Sequence, residues 1–306
     1  MKKGIKILLV VLILSILVSN LIFFEVLYPY LLSKDKILKS NIKEPTYVAL
    51  YVGDIDGGVS EDWFPFYEKI TKFHNDNEIS TCFSFYPGSI GDDEEFNKIF
   101  EEMYTNEYIE LMQKGYRGDV ADRNLYKLPA KGQKEIIKLG QDYFKKKMKE
   151  ILDEEYIKLP VAYNQLSGRI NNDTRQVLEE LGFKIYFDMF IEDDMDPVES
   201  TATFDVIEYG ASFTDTGEAG REHDFKSPAE IFKEINELKR EDLTMMAING
   251  RKVIPLWTHQ QDFEDEYIDE KIDEKKWEIY TNTIKALNQD PNVILITPTE
   301  IYDLRH

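Results

Sequence analysis

The sequence predicts an α/β fold: a distorted (β/α)7 barrel preceded by one N-terminal transmembrane helix. Three observations carry this. Short β-branched and aromatic runs alternate with longer amphipathic stretches, the pattern of a mostly parallel sheet covered by helices. Seven such runs lie in about 260 residues, a usual size for one α/β barrel. An uncharged apolar run near the amino end is separated from all of them.

That apolar run is Ile7–Phe24, preceded by Lys2, Lys3 and Lys6 and interrupted only by Ser15, Ser19 and Asn20. As a helix it would span about 27 Å, close to the hydrocarbon thickness of a bilayer. No small-x-small cleavage site follows it and no Cys is placed for lipidation, so it reads as an uncleaved signal anchor. The basic flank stays in the cytoplasm and the main domain lies outside, in the cell membrane as a single-pass protein. The organisation expected is residues 1–25 as anchor, 26–44 as tether and 45–306 as barrel.

The strand-like runs are Tyr47–Val52, Ile79–Phe85, Leu159–Tyr163, Lys184–Phe190, Phe204–Tyr209, Val253–Thr258 and Asn292–Thr297. Between them the periodicity predicts a helix over Lys131–Glu155 with Ile136, Leu139, Tyr143, Met148, Ile151 and Leu152 on its buried face. A second covers Thr174–Leu181, with Asn172 or Asp173 as cap and Gly182 as stop. A third covers Pro228–Arg240 behind the cap Ser227, and a fourth Glu274–Leu287. The acidic segments Glu192–Asp196 and Asp262–Glu274 read as solvated surface.

Composition bounds the partners. The 306 residues carry a formal net charge of −21. Residues 1–40 hold six Lys and two acids, a balance of +4, which leaves −25 on the rest. Nucleic acid and anionic membrane surfaces are therefore poor partners for the main domain, while neutral or cationic sugars are compatible with it. The single cysteine, Cys82, excludes an intramolecular disulfide and reads as a small buried residue of a strand.

The first strand ends in Gly53-Asp54-Ile55-Asp56-Gly57-Gly58. On an extended backbone Asp54 and Asp56 point to the same side, with carboxylates roughly 6 Å apart. Their repulsion, on the order of 3 kcal/mol at an effective dielectric of about 20, calls for a cation or a shared proton. His259 directly follows the apolar strand Val253–Thr258 and stands beside Trp257, at the mouth of a barrel if strand ends carry the site. It reads either as a substrate-facing group or as a cap packed on Trp257. His223 lies in a polar loop that could rim the site; His74 and His306 are set aside.

With those residues in view, the chain resembles the polysaccharide deacetylases of the NodB-homology type, carbohydrate esterase family 4, over roughly Tyr47 to Leu304. The resemblance rests on Gly53–Gly57, similar to the family's Thr-Phe-Asp-Asp-Gly, on Glu110–Gly115, similar to the helix before its second motif, on Asn172–Phe183, and on Val253–His259. It implies a barrel of the glycoside hydrolase/deacetylase type. It implies Asp54 as base, displaced by one residue, His259 as acid, and Asp56 as a metal ligand. The family's metal-binding His-x-x-x-His is absent, and residues 116–124 stand in its place. Asp56, Asp119 and Asp122 are then the candidate ligands, an oxygen set suited to Mn, Mg or Ca rather than Zn. Trp257, Arg169 and Tyr163 are the candidate substrate-binding residues.

Three functions stay open. The first is a membrane-anchored extracytoplasmic hydrolase that deacetylates N-acetylated or related cell-surface glycan. The second is a catalytically inactive relative that binds glycan or a surface partner. The third is a glycoside hydrolase that uses carboxylates alone.

Overall fold

Ten consecutive residues, Thr46–Ile55, form the central strand β1, and all but Asp54 among them are buried. A strand flanked by parallel neighbours and covered on both faces has no solvent side, so its sequence shows a continuous apolar run rather than an alternation. β1 pairs in parallel with β2 (Thr81–Phe85) along the carboxyl half of one edge and with β9 (Arg251–His259) along the other. Its amino half pairs with β12 (Val293–Leu295). Outward from β2 follow β3 (Ile109–Lys114), β4 (Ala162–Asn164), β5 (Ile185–Asp188) and β6 (Asp205–Glu208), every pair parallel. β7 (Ala211–Ser212) lies beyond β9, and the two-residue strand β8 (Ala247–Ile248) folds back on β9. A separate hairpin joins β10 (Glu264–Asp265) to β11 (Ile268–Ile272).

The computed structural model describes residues 39–306 apart from 59–60, 92, 119, 166–169, 189–197, 209, 215–224, 239–245 and 266–267. The expected anchor at 1–25 and most of the tether lie outside the described residues, as do the acidic loop at 192–196 and His223. Among the described residues no helix is long and apolar enough to cross a membrane. Ser40–His306 forms one compact unit.

The helices follow their signals, with corrections. α1 (Phe64–Asp76) has Pro65 in its first turn, and α2 (Glu94–Thr105) is capped by the Asp93 carboxylate, which accepts from the Phe96 amide. α3 (Ala130–Leu152) matches the predicted helix, but its face is turned. Ile137, Phe144 and Met148 are buried, whereas Leu139 is 49% exposed. Phe144 wins because its ring packs on Phe85 of β2 at 5.1 Å. α4 (Asn172–Glu180) is capped one residue earlier than expected: Asn171 and Thr174 exchange the two bonds of a capping box. α5 (Pro228–Leu238), α6 (Glu274–Asn288) and α7 (Pro298–Arg305) follow, and a single helical turn covers Val120–Arg123 after β3.

The largest correction is β3. The resemblance casts Glu110–Gly115 as helix, and the seven predicted strands omit it, yet Ile109–Lys114 is a strand inside the parallel sheet. Its period is obscured by polar residues that are buried. Gln113 is fully buried and spends its amide on the carbonyls of Gly115 and Ile137. Glu110 accepts from the amide and hydroxyl of Thr299 and so ties β3 to α7.

One face of the sheet holds alternate residues of the strands: Tyr47, Ala49 and Tyr51, then Cys82, Met112, Ile185, Phe187, Val253 and Trp257. The other face, with Tyr163, Tyr186 and Val206, packs on Ile137 of α3 and Val177 and Leu178 of α4. Cys82 is buried as expected, its thiol pushed up by burial and by Glu110.

Candidate functional site

Four strands adjacent in the sheet, β3, β2, β1 and β9, end at the same edge. Each delivers one polar group there: Lys114, Tyr86, Asp54 and His259. A parallel sheet places all carboxyl ends on one side, which is why residues up to about 200 positions apart in sequence meet there.

Asp54 is the hub. Its backbone takes φ +67°, and the β1–β2 register shifts between Val52 and Ile55. Asp tolerates this left-handed conformation better than most residues. The resulting bulge breaks the two-residue alternation on which a common side for Asp54 and Asp56 depends. Asp54 therefore turns to its neighbours: Oδ1 accepts from the Lys114 ammonium at 2.5 Å and from the Tyr86 hydroxyl at 2.8 Å. Oδ2 faces His259, whose Nε2 stands 3.7 Å away. Beneath them lies a buried polar floor. The Tyr51 hydroxyl and Ser84 Oγ share a hydrogen bond of 2.8 Å, and Asn164 Oδ1 accepts from Tyr51. Burial works to raise the Asp54 carboxyl, but Lys114, then His259, and the hydrogen bonds from Lys114 and Tyr86 outweigh it. They hold it well below the usual carboxylate range. Burial and the Asp54 charge push the Tyr86 phenol strongly up, so it stays protonated as a donor.

His259 pairs in register with Gly53 across β1 and β9. Its ring packs edge-on against Trp257 at 5.1 Å. A Cβ on Gly53 would lie 2.3 Å from His259 Cδ2, so glycine is what lets the imidazole lie against the β1 backbone. The His259 amide donates to Asp262 Oδ2 at 2.7 Å, and so does the Thr258 hydroxyl at 3.0 Å. Asp262 is thus buried and fixes the turn after β9, against the expectation that its acidic run is solvated.

Asp56 does not join the hub. Its Oδ1 accepts from the Gly58 amide at 2.8 Å, closing its own turn. Its amide donates to Tyr67, whose hydroxyl also bonds Gln260. Burial raises its pKa, against the bonds from Gly58 and Ser89 and with help from the Asp54 charge. Asp122 is consumed by the loop after β3: Oδ2 accepts from the amides of Tyr116, Arg117 and Gly118 at 2.9, 2.7 and 2.7 Å. Gly115, at φ +56°, turns the chain around that carboxylate, and a Cβ there would meet it at 2.7 Å. Asp119 and Arg169 lie outside the described residues. Tyr163 is wholly buried and donates to Gln165, so it has no surface for a substrate. Trp257 is nearly buried as well and serves as the wall behind His259.

Lys114 and Tyr86 were not among the sequence candidates. The available signal was positional: each stands at the end of a strand, Tyr86 before Pro87-Gly88 and Lys114 before Gly115.

No protein-family model and no curated protein sequence matches the chain. Solved structures do. A protein from Mycobacterium smegmatis assigned as a polysaccharide deacetylase superposes with a TM-score of 0.55 at 11% identity, covering 87% of this chain and 95% of that one. The chain has the polysaccharide deacetylase fold. The same fold relates it to an α-amylase from Thermotoga maritima (TM-score 0.54, 9% identity, 85% and 74% covered). A Parabacteroides distasonis protein assigned as a glycoside hydrolase/deacetylase is similar too (0.53, 11%, 86% and 72%).

On this deacetylase-type fold the residues present do not fit the divalent metal that the resemblance implies. Among the described residues no group of three or more His, Cys, Asp and Glu side chains is placed to hold an ion. Asp122 Oδ2 is taken by three amides and Asp56 Oδ1 by its own turn, and an ammonium already sits on Asp54. A divalent ion about 4 Å from that ammonium would meet a repulsion on the order of 8 kcal/mol at an effective dielectric of about 20.

Proposed function

We propose that this chain is a glycan-binding protein built on the deacetylase fold, without metal-assisted hydrolysis. The observation that carries the reading is the Lys114–Asp54 pair. A carboxylate held as an anion by a buried ammonium at 2.5 Å is a weak base, and general-base efficiency falls as the base's pKa drops away from the working pH. Of the three functions open from the sequence, the binding one asks least of Asp54. It needs only hydrogen-bond donors and acceptors at fixed positions.

The mouth supplies them. Asp54 and His259 are each about one-sixth exposed at the side chain, 17% and 18%, so solvent and ligand reach them. Asp54 Oδ2 can accept from a sugar hydroxyl or amide N–H, and the imidazole can donate or accept. Tyr116, half-buried in the loop after β3, packs edge-on against Tyr143 of α3 and is overlain by the Arg117 guanidinium at 5.3 Å, an aromatic surface on the same loop that follows Lys114. N-acetylated or related cell-surface polysaccharide is the ligand class proposed, in keeping with the polysaccharide deacetylase assignment of the similar Mycobacterium smegmatis protein. The basic start and apolar run at 2–24 support an anchor that holds the domain outside the membrane.

Titration with N-acetylated glucosamine oligosaccharides, read by calorimetry, tests this beside an acetate-release assay run with and without added divalent ions. Saturable binding without acetate is the expected result. Stoichiometric turnover to acetate would restore the hydrolase reading.

A further inference from the structure

We infer that Lys114 is the permanent cation of this site: its ammonium group fills the seat beside Asp54 that a divalent ion would otherwise take, and it fixes Asp54 with Oδ2 on the His259 side. The inference rests on the same Lys114–Asp54 pair as the binding reading but concerns what holds Asp54 whatever the mouth binds; ion dialysis tests the one and glycan titration the other.

The Lys114 side chain is 3% exposed. A buried ammonium is tolerated only when it is paired and its protons are bonded. Its partner is Asp54 Oδ1, which also receives the Tyr86 hydroxyl. The Tyr86 ring lies 5.8 Å from Nζ and adds its π-face to the same cation. The floor below, Tyr51, Ser84 and Asn164, is neutral. The other described acids nearby are committed elsewhere: Asp56 to Gly58 and Asp122 to three amides. One positive and one negative group therefore meet at the hub with a bond between them. Because Lys114 extends β3 and Asp54 sits on the bulge of β1, the sheet itself fixes their separation. With both donors on Oδ1, the described residues leave Oδ2 facing only His259. Lys114 is in this sense a positioning residue: it decides which carboxylate oxygen meets a ligand.

Equilibrium dialysis of the full-length protein against Mn, Mg, Ca and Zn is the direct test. Wild type should bind no ion at this site and should melt at the same temperature with each ion or with chelator. Lys114→Ala should melt earlier, and propylammonium, which replaces the missing segment and its N–H donors, should raise its melting temperature. Tetramethylammonium, equal in charge but without N–H groups, should not. Lys114→Met should also melt earlier, and adding Asp54→Asn should recover part of that loss by removing the stranded carboxylate. Should the alanine variant not fold, the wild-type dialysis and the methionine pair still decide. One divalent ion bound per wild-type chain and lost in Asp54→Asn overturns the inference. So does a Lys114→Met variant as stable as wild type, or a double variant with no recovery.

Discussion

His259 Nε2 stands 3.7 Å from Asp54 Oδ2, and the Cδ2–Nε2 edge of the imidazole lies against Gly53, its register partner on β1. The relationship between acid and imidazole is thus set by two neighbouring strands of one sheet rather than by a loop. Substitutions on either strand should be felt at the mouth.

Replacement of His259 by Ala is expected to leave the domain folded and to weaken glycan binding. A lost hydrogen bond of about 0.5–1.5 kcal/mol corresponds to roughly 2- to 10-fold in Kd. The Trp257 contact adds a stability loss of about 1 kcal/mol. Calorimetric titration and a denaturant curve separate the two effects. Unchanged affinity in a folded variant would remove His259 from the binding site.

Gly53→Ala should displace the same imidazole without deleting it, because the new Cβ would fall 2.3 Å from Cδ2. Overpacking of this kind costs about 1–3 kcal/mol. The His259 ring proton resonances should shift while the rest of the spectrum is kept. Unperturbed resonances would mean that the ring does not rest on β1.

Asp122→Ala strands three amide donors of the loop after β3. The three residues are half-buried or exposed, so water replaces part of the bonding and a loss of about 1–3 kcal/mol in all is expected. Hydrogen exchange should rise at Tyr116, Arg117 and Gly118 before it rises in β1. Added divalent ion should not reproduce this effect in wild type, since Asp122 acts on amides. Protection of these amides that depends on an ion would contradict the assignment.

Stability should fall as pH drops from neutrality, through His74. Burial lowers its pKa to about 4, against the bond to the Ile79 carbonyl. Its Nε2 meets the Tyr280 hydroxyl at 2.8 Å. The unfolded chain protonates this imidazole near pH 6.5 while the folded chain does not, so between about 6.5 and 4 the unfolded state binds more protons and stability rises with pH. The loss reaches about 3 kcal/mol at the acid end of that window. Asp54 acts with the same sign in a lower window: its depressed pKa gives stability that is present above about pH 3.9 and lost as pH falls toward the folded value. Urea curves at pH 7, 6, 5 and 4 on wild type and His74→Gln test the first effect. An equal pH slope in the variant would assign the loss to other groups.

The sequence by itself determined the parallel α/β architecture, the approximate limits of four helices, the acidity of the main domain and two residues of the hub. Strand and helix periods are local, and Asp54 and His259 each follow an apolar run that reads as a strand from its own residues. Only the tertiary structure decided the rest. β3 was hidden because Glu110, Gln113 and Lys114 are polar groups whose partners, Thr299, Ile137 and Asp54, lie far away in the chain. The same distance concealed Lys114 as the partner of Asp54, since that pair exists only once β2 has seated β3 two places from β1. The bulge at Asp54 then separated two carboxylates that a regular strand would have kept on one side. Spacing along the chain fixes which residues can end a strand; sheet order and backbone twist at the strand's end fix which of them meet.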